Sequence, residues 1–283
     1  MQIDEDLVRA LVAEVFPRWA HLPVRQVLPG GYDNRTFRLG DELAVRLPSA
    51  EGYVPSVERE QRWLPVLAAA LPLPIPEPVA LGRPAAGFPW PWSVNRWIEG
   101  ETAITADIPD RSRFAVDVAR FLIALQALDT AGAPTAGAHN FHRGGDLAVY
   151  RDEADAVVAE LPDRALAAWA TRVLDRALQS RWTRPPVWVH GDVAVGNLLV
   201  RDGRLAGVID FGGCAVGDPA SDLVLAWTTL DRPAAEAFRD ALGLDPDTWD
   251  RAAGWALWKA LITLDDPGSL RTVARLREDL AAR

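Results

Sequence analysis

Two apolar runs, Asn197 to Val200 and Leu205 to Asp210, are separated by Arg201-Asp202-Gly203-Arg204, and this arrangement restricts the chain more than any other segment. An Asp-Gly pair between apolar runs signals a two-residue hairpin, because both central residues of the favoured turn need positive φ. With Asp202 and Gly203 in the turn, Arg201 faces Arg204, Leu199 faces Ala206 and Asn197 faces Val208. Side chains alternate with period two, so Asp210 falls diagonally from Asn197 on the same face. Diagonal neighbours stand about 7–8 Å apart, which leaves room for a divalent cation between an amide oxygen and a carboxylate. A slip of one residue would send the two to opposite faces, so a metal clamp predicts this register. The alternative is a surface hairpin whose Asn and Asp merely flank turns.

The flanking residues favour the clamp. Val187 to Val189 reads as a short strand entering His190-Gly191-Asp192, Asn197 follows Asp192 by five positions, and Asp210-Phe211-Gly212 comes after the hairpin. That order and spacing match the polar set of kinase-type phosphoryl transfer, in which one Asp accepts a hydroxyl proton while an Asn and a second Asp hold magnesium on a nucleotide.

Taken together, His190-Gly191-Asp192 with Gly196 to Val200, Gly207-Val208-Ile209-Asp210-Phe211-Gly212, and Gly217-Asp218-Pro219-Ala220-Ser221-Asp222-Leu223 resemble the aminoglycoside phosphotransferase family of small-molecule kinases, including its macrolide-phosphotransferase-like members. The resemblance covers most of the chain. It implies an α+β, bilobal, protein-kinase-like fold, with a small N-terminal lobe of antiparallel sheet and one helix and a larger, mostly helical C-terminal lobe. It further implies Asp192 as catalytic base, Asn197 and Asp210 as magnesium ligands, and His190, Asp218 and Asp222 as supports of the catalytic loop.

The N-terminal segment can be read on its own. Val24 to Leu28, Thr36 to Leu39 and Leu43 to Leu47 are candidate strands, with Gly40-Asp41 as a tight turn and Pro29 to Asn34 as a loop. Glycine lets backbone N–H groups approach an anion, and kinase-like folds cover nucleotide phosphates with such a loop, so Gly30, Gly31 and Asn34 are nucleotide-binding candidates. Gly30-Gly31 alone would equally suit an ordinary hairpin loop. In Ala44-Val45-Arg46-Leu47, Arg46 stands where the kinase template has its phosphate-binding lysine, and the chain's one lysine, Lys259, is far along the sequence. Arginine keeps the charge but presents a wide planar fork. A helix from Val57 to Ala70 should carry its acidic partner; Glu58 and Glu60 both suit the helix dipole, and the family pattern selects Glu60.

Leu71 to Pro78 is proline-rich and extended. Pro91 to Gly100 then reads as a strand running into an interlobe hinge, with Trp97 and Ile98 as purine contacts and Trp92 as a core residue. The lobe boundary is set at residues 1–97 and 98–283.

Beyond the hinge, Phe114, Val118, Phe121, Leu122, Leu125 and Leu128 recur at helical spacing within Arg113 to Leu128. His139, His142 and Arg143 follow in a loop; without a cysteine cluster or His-Glu-x-x-His, zinc is not indicated, and they read as surface or acceptor-lobe residues. Helical patterns return at Asp152 to Leu178, Pro233 to Ala241, Thr248 to Leu264 and Leu270 to Ala282, with proline and aspartate stops between the last three. Trp255 and Trp258 are candidate acceptor contacts, although their helical spacing also suits a core.

The formal charge of -9 argues against a nucleic-acid surface and allows a cationic acceptor. One cysteine, Cys214, excludes an internal disulfide framework and fits a reducing, cytoplasmic setting. No secretory signal, membrane-length apolar span or internal repeat is apparent. The expected activity is transfer of the γ-phosphoryl group of ATP or GTP, with Mg²⁺, to a hydroxyl of a small molecule, with antibiotic modification a family-level expectation. A choline- or homoserine-kinase-like metabolic enzyme and a catalytically silent nucleotide-binding regulator remain open; a protein kinase is weakened by the lack of an Ala-Pro-Glu element. No single residue fixes the acceptor, the choice between ATP and GTP, or the oligomeric state.

Overall fold

The computed structural model describes residues 2–28 and 30–281. Its contacts divide the chain into two compact units, Met1–Gly100 with Ala206–Gly212, and Glu101–Leu205 with Gly213–Arg283. The expected boundary after residue 97 lies three residues from the division at Gly100, and the segment Ala206–Gly212 joins the first unit.

In the first unit, α1 (Glu5–Val15) starts at Asp4, whose carboxylate accepts the Leu7 N–H at 3.0 Å. It is followed by β1 (Val24–Gln26), β2 (Asn34–Leu39), β3 (Leu43–Pro48), α2 (Val54–Ala68), β4 (Pro78–Gly82) and β5 (Trp92–Arg96). The strands make one antiparallel sheet in the order β1-β2-β3-β5-β4. The expected strand to Leu28 stops at Gln26, Pro29 of the predicted loop lies outside the described residues, and Gly40 makes the tight turn at φ 61.

The sheet is two-sided for a reason visible in its rows. Phe37, Val45 and Val94 are cross-strand neighbours, and with Leu39, Leu47 and Trp92 they pack into an apolar core with Val8, Leu11 and Val12 of α1. Alternation turns the neighbouring rows, Arg38-Ala44-Asn95 and Thr36-Arg46-Ser93, to the opposite face. Trp92 is fully buried, in keeping with its reading as a core residue.

The second unit opens with β6 (Glu101–Thr102) and α3 (Arg111–Gln126), capped by Asp110. Two helices follow, α4 (Arg151–Glu160) and α5 (Arg164–Ala177), where the sequence suggested one helical stretch from Asp152 to Leu178. Pro162 and Asp163 break it. The Asp163 carboxylate caps α5 by accepting the N–H groups of Ala165 and Leu166 at 2.9 and 3.1 Å.

Next come β7 (Val187–Val189), β8 (Leu198–Arg201), β9 (Arg204–Val208) and β10 (Ala215–Gly217), which pairs with β7. Asp202 and Gly203 take φ 54 and 72, as an Asp-Gly hairpin turn requires, and Arg204 anchors the hairpin to α3 through Asp117 at 2.5 and 2.8 Å. The chain ends in α6 (Leu225–Thr228), α7 (Arg232–Leu242), α8 (Pro246–Leu261) and α9 (Pro267–Ala281); Ala282 of the expected last helix lies outside the described residues. Helix α8 packs against α5 and α9, and α3 against α7. Among the described residues, no helix is long and apolar enough to cross a membrane.

Candidate active site

The second unit carries the Asp192 loop. Gly191 has φ +83, and a Cβ there would lie 2.6 Å from the Gly213 carbonyl oxygen, so only glycine fits between β7 and Asp192. Asp222 clamps this turn from beneath: its two oxygens accept the N–H groups of His190 and Gly191 at 2.7 Å each. Burial pushes the Asp222 carboxyl up, and His190 and the two backbone donors only partly offset that. His190 is fully buried and its Nδ1 accepts the Asp192 N–H at 3.2 Å, so it holds the loop from inside. Asp218 bonds Arg251 Nε at 2.6 Å and caps the following turn through the Ala220 N–H; burial raises its carboxyl too, against the pull of Arg251.

Asn197 contacts the candidate base directly. Its Nδ2 donates to the Asp192 carbonyl at 2.9 Å and to Asp192 Oδ2 at 3.0 Å, so these bonds use the amide nitrogen and not the amide oxygen. The derivation of a clamp from strand register, however, does not hold. Asn197 ends a 3₁₀ turn, Val195–Asn197, ahead of β8, and Asp210 lies two residues past β9 in the left-handed region at φ 70. Neither side chain takes its direction from the ladder. Among the described residues no cluster of three or more His, Cys, Asp or Glu side chains suits a metal. Taken singly, the amide oxygen of Asn197 and the carboxylate of Asp210 are hard oxygen donors of the kind magnesium takes.

The first unit carries a buried charge relay. Arg46 on β3 donates from Nη1 to both oxygens of Glu60 at 2.8 and 3.0 Å, and from Nη2 to Asp210 Oδ1 at 2.8 Å. One Nη of the fork meets Glu60 and the other meets Asp210, so a single planar group bonds both carboxylates. Burial works against the Arg46 charge, but Glu60 and Asp210 outweigh it and hold the guanidinium above its ordinary range. Burial pushes the Glu60 carboxyl up, with Arg46 opposing. Glu58 is exposed on the same helix, so position on α2 decides between the two acids.

Two further polar residues on this unit, Asn95 and Arg38, escaped the sequence reading, and they group with Trp97, which it had named. Asn95 is 2 % exposed and both its amide atoms lack a partner; Arg38 Nε and Trp97 Nε1 are also buried and unpartnered. Arg38 and Asn95 flank Ala44 in one row across the sheet, and Arg38 lies over the Trp97 ring at 4.6 Å. Only the strand register, once known, could have grouped them. Ile98 is half-buried, Gly30 and Gly31 are exposed without positive φ, and Asn34 is buried at the start of β2.

Trp255 and Trp258 are buried and packed inwards. Tyr150 stacks on Trp258 at 3.9 Å, Trp255 meets both rings edge-on, and Trp258 Nε1 donates to Glu153 at 2.7 Å. The exposed face that an acceptor contact would need is thus taken up by Tyr150 at Trp258, whereas Trp255 also lines a cavity of about 340 Å³ with Leu147, Trp182 and Arg251. Arg143, read from sequence as a surface or acceptor-lobe residue, lies in the second unit with its Nη1 3.5 Å from Asp192 Oδ1.

Comparison with known proteins agrees with this architecture. Residues 24–255 match the profile of the APH phosphotransferase enzyme family. A glucosamine kinase from Streptacidiphilus jiangxiensis is 32% identical over 154 residues, 48% of this chain and 33% of that protein. An aminoglycoside 3'-phosphotransferase from Escherichia coli is 39% identical over 46 residues, 16% of this chain and 17% of that protein. The matched segments therefore span a third or less of these curated relatives. Among solved structures, the GDP complex of wild-type aminoglycoside 2'-phosphotransferase-IIIa superposes with a TM-score of 0.76 at 20% identity, covering 99% of both chains. The macrolide 2'-phosphotransferase MphH from Brachybacterium faecium gives 0.67 at 18%, covering 96% of this chain and 97% of that one. With a family profile matched over most of its length, and a kinase-like fold shared from end to end, this chain belongs to the APH phosphotransferase enzyme family.

Proposed function

We propose that the chain is a nucleoside-triphosphate-dependent O-phosphotransferase acting on a hydroxyl of a small molecule. The observation that carries the proposal is the Asp192 loop: a half-exposed carboxylate, touched by the Asn197 amide, on a turn whose backbone Asp222 and His190 fix from the buried side. A base so held can orient an incoming hydroxyl and take its proton without reorganising. Arg46, fixed by Glu60, is the cation for nucleotide phosphates, and the segment of Trp97 and Ile98 is the purine contact, with Gly30, Gly31 and Asn34 on the phosphate side. The residues 1–97 and 98–283 are read as nucleotide and acceptor lobes.

Asn197 and Asp210 would hold Mg²⁺, which when bound offsets the charge of the phosphates. The donor is ATP or GTP: the neighbours include GDP-, ADP- and ATP-bound structures. A sugar or amino-sugar hydroxyl suits the acceptor, because the relatives include a glucosamine kinase and the neighbours aminoglycoside and macrolide enzymes. The charge of -9 permits a cationic acceptor, and the single, buried Cys214 fits the cytoplasm.

The test is to incubate purified protein with ATP or GTP and magnesium against amino sugars, aminoglycosides, macrolides and metabolic alcohols, and to read a mass gain of one phosphate. Asp192→Ala should abolish most turnover while nucleotide binding persists. Transfer at the wild-type rate in Asp192→Ala would remove its role as base.

A further inference from the structure

The loop from His190 to Asn197 contains no lysine or arginine, yet a cation reaches its aspartate from elsewhere. Arg143 brings Nη1 to 3.5 Å from Asp192 Oδ1, with 22% of the arginine side chain exposed. The backbone that carries it is held in an unusual state. Phe141 and His142 are consecutive non-glycine residues at φ 54 and 53, a sparsely populated region that persists only when the surroundings over-determine it.

Those surroundings are explicit. Asn140, 1% exposed, accepts the Gly137 N–H at 3.0 Å and donates to the carbonyls of Arg143 at 2.7 Å and Gly213 at 3.1 Å. The buried amide therefore ties the Arg143 backbone to the same Gly213 whose carbonyl packs on Gly191. Tyr150 donates to the Phe141 carbonyl at 3.0 Å, and the guanidinium lies over the Phe141 ring at 5.7 Å. Two strained residues and a buried amide thus hold the guanidinium beside Asp192, where the buried Asp222 carboxyl also feels its charge.

A structural ion pair would close to about 2.7–2.9 Å, the usual distance for a charged N–H to a carboxylate. At 3.5 Å the guanidinium stands beside Asp192 outside that closed distance, and its planar fork offers other N–H groups. We propose that Arg143 is a catalytic residue that pairs with Asp192 in the free enzyme and contacts the transferring phosphoryl group in the transition state. This rests on the phosphotransferase reading above.

In that step the acceptor oxygen forms a bond to the γ-phosphorus, and the bond from that phosphorus to the bridging oxygen breaks. The electron pair leaves with the nucleoside diphosphate, and the hydroxyl proton goes to Asp192. As Asp192 takes the proton it loses its charge, so the attraction holding Arg143 fades, and the negative charge spread over the equatorial phosphoryl oxygens takes its place as the partner of the guanidinium. The reacting oxygen and phosphorus start about 3–3.5 Å apart with the hydroxyl on Asp192, which puts those oxygens within a guanidinium's reach.

The test compares Arg143→Ala, Arg143→Lys and Arg143→Met with wild type, using an acceptor found in the panel above. Arg143→Ala should lower kcat by about 10²–10³ while the Kd for nucleotide moves less than about threefold. Binding of ADP with aluminium fluoride, magnesium and acceptor, a mimic of the transition state, should weaken at least about tenfold. Added guanidinium should restore part of the kcat of Arg143→Ala, which a merely structural role would not allow. A kcat within about threefold of wild type, or equal weakening of ADP and of the aluminium fluoride complex, overturns the proposal. Should Arg143→Ala fail to fold by urea titration, the charged Arg143→Lys should exceed Arg143→Met at least about tenfold in kcat, and equality overturns it. Wild-type protein that transfers phosphate to nothing would instead remove the phosphotransferase reading, and this inference with it.

Discussion

Removing the Asp222 carboxylate gives the sharpest check on how the catalytic loop is held. Asp222 is fully buried and its oxygens accept two backbone N–H groups, from His190 and Gly191, at 2.7 Å each. Hydrogen bonds to a charged group contribute about 1.5–3 kcal/mol apiece, so Asp222→Ala should destabilise the second unit by about 3–6 kcal/mol. Asp222→Asn keeps one acceptor and turns a donor toward the other N–H, so about half that loss is expected. The two N–H groups open the turn that carries Asp192, so kcat should fall with stability in both variants, and more steeply in Asp222→Ala. Urea unfolding followed by tryptophan fluorescence measures the first quantity, and steady-state phosphate transfer the second. An Asp222→Asn protein with an unchanged urea midpoint and an unchanged kcat would refute the clamp.

Other perturbations follow from the same geometry. Arg46→Met leaves Glu60 charged and buried without its partner, so stability should drop by about 3–5 kcal/mol in urea; Arg46→Lys, reaching fewer oxygens, should fold and raise the KM for nucleotide. Asn95→Leu removes an unpartnered buried amide and should raise the melting temperature of the nucleotide-free protein; a fall would mean that the amide has a partner. Burial raises the Asp218 carboxyl in the folded state, against Arg251 and with Asp245 adding. Its contribution to stability is therefore full below the ordinary carboxylate range and is lost as pH rises through the raised value. Asp218→Asn should flatten that part of the stability-against-pH curve, and an unaltered slope would count against the assignment. Gly191→Ala should fail to fold stably or lose activity by urea titration and transfer assay, because its Cβ would meet the Gly213 oxygen at 2.6 Å in a backbone state that favours glycine.

How far the sequence reached depended on whether a residue's role follows from its neighbours in the chain. The strand Leu43 to Leu47 was legible, with Arg46 on it, but the row of Arg38, Ala44 and Asn95 across the sheet was not, because it follows from pairing between strands. The Asp-Gly turn was legible too, since its chemistry is local. Asn197 and Asp210 were named from identity and spacing, and their conformation was not foreseen. A strand ladder would have aimed them, whereas a 3₁₀ turn and a left-handed residue do so in fact, and neither leaves a periodic trace. Asp tolerates positive φ better than most residues, so the hairpin pattern ran on through a position where the backbone had already left the strand.

Arg143 marks the limit most clearly. Nothing in Asn140-Phe141-His142-Arg143 signals two consecutive left-handed residues, because the state is imposed by Asn140 bridging to Gly213, a contact 73 residues away in sequence. A side chain placed by such a long-range constraint is invisible to motif and period alike. On the proposed mechanism such a residue is also required, since a cation that follows charge from Asp192 to the phosphoryl group cannot be built into the short turn that fixes Asp192. The turn of Gly191 and Asp192 has its N–H groups spent on Asp222 and His190, so the guanidinium has to come from a separate segment with its own anchor.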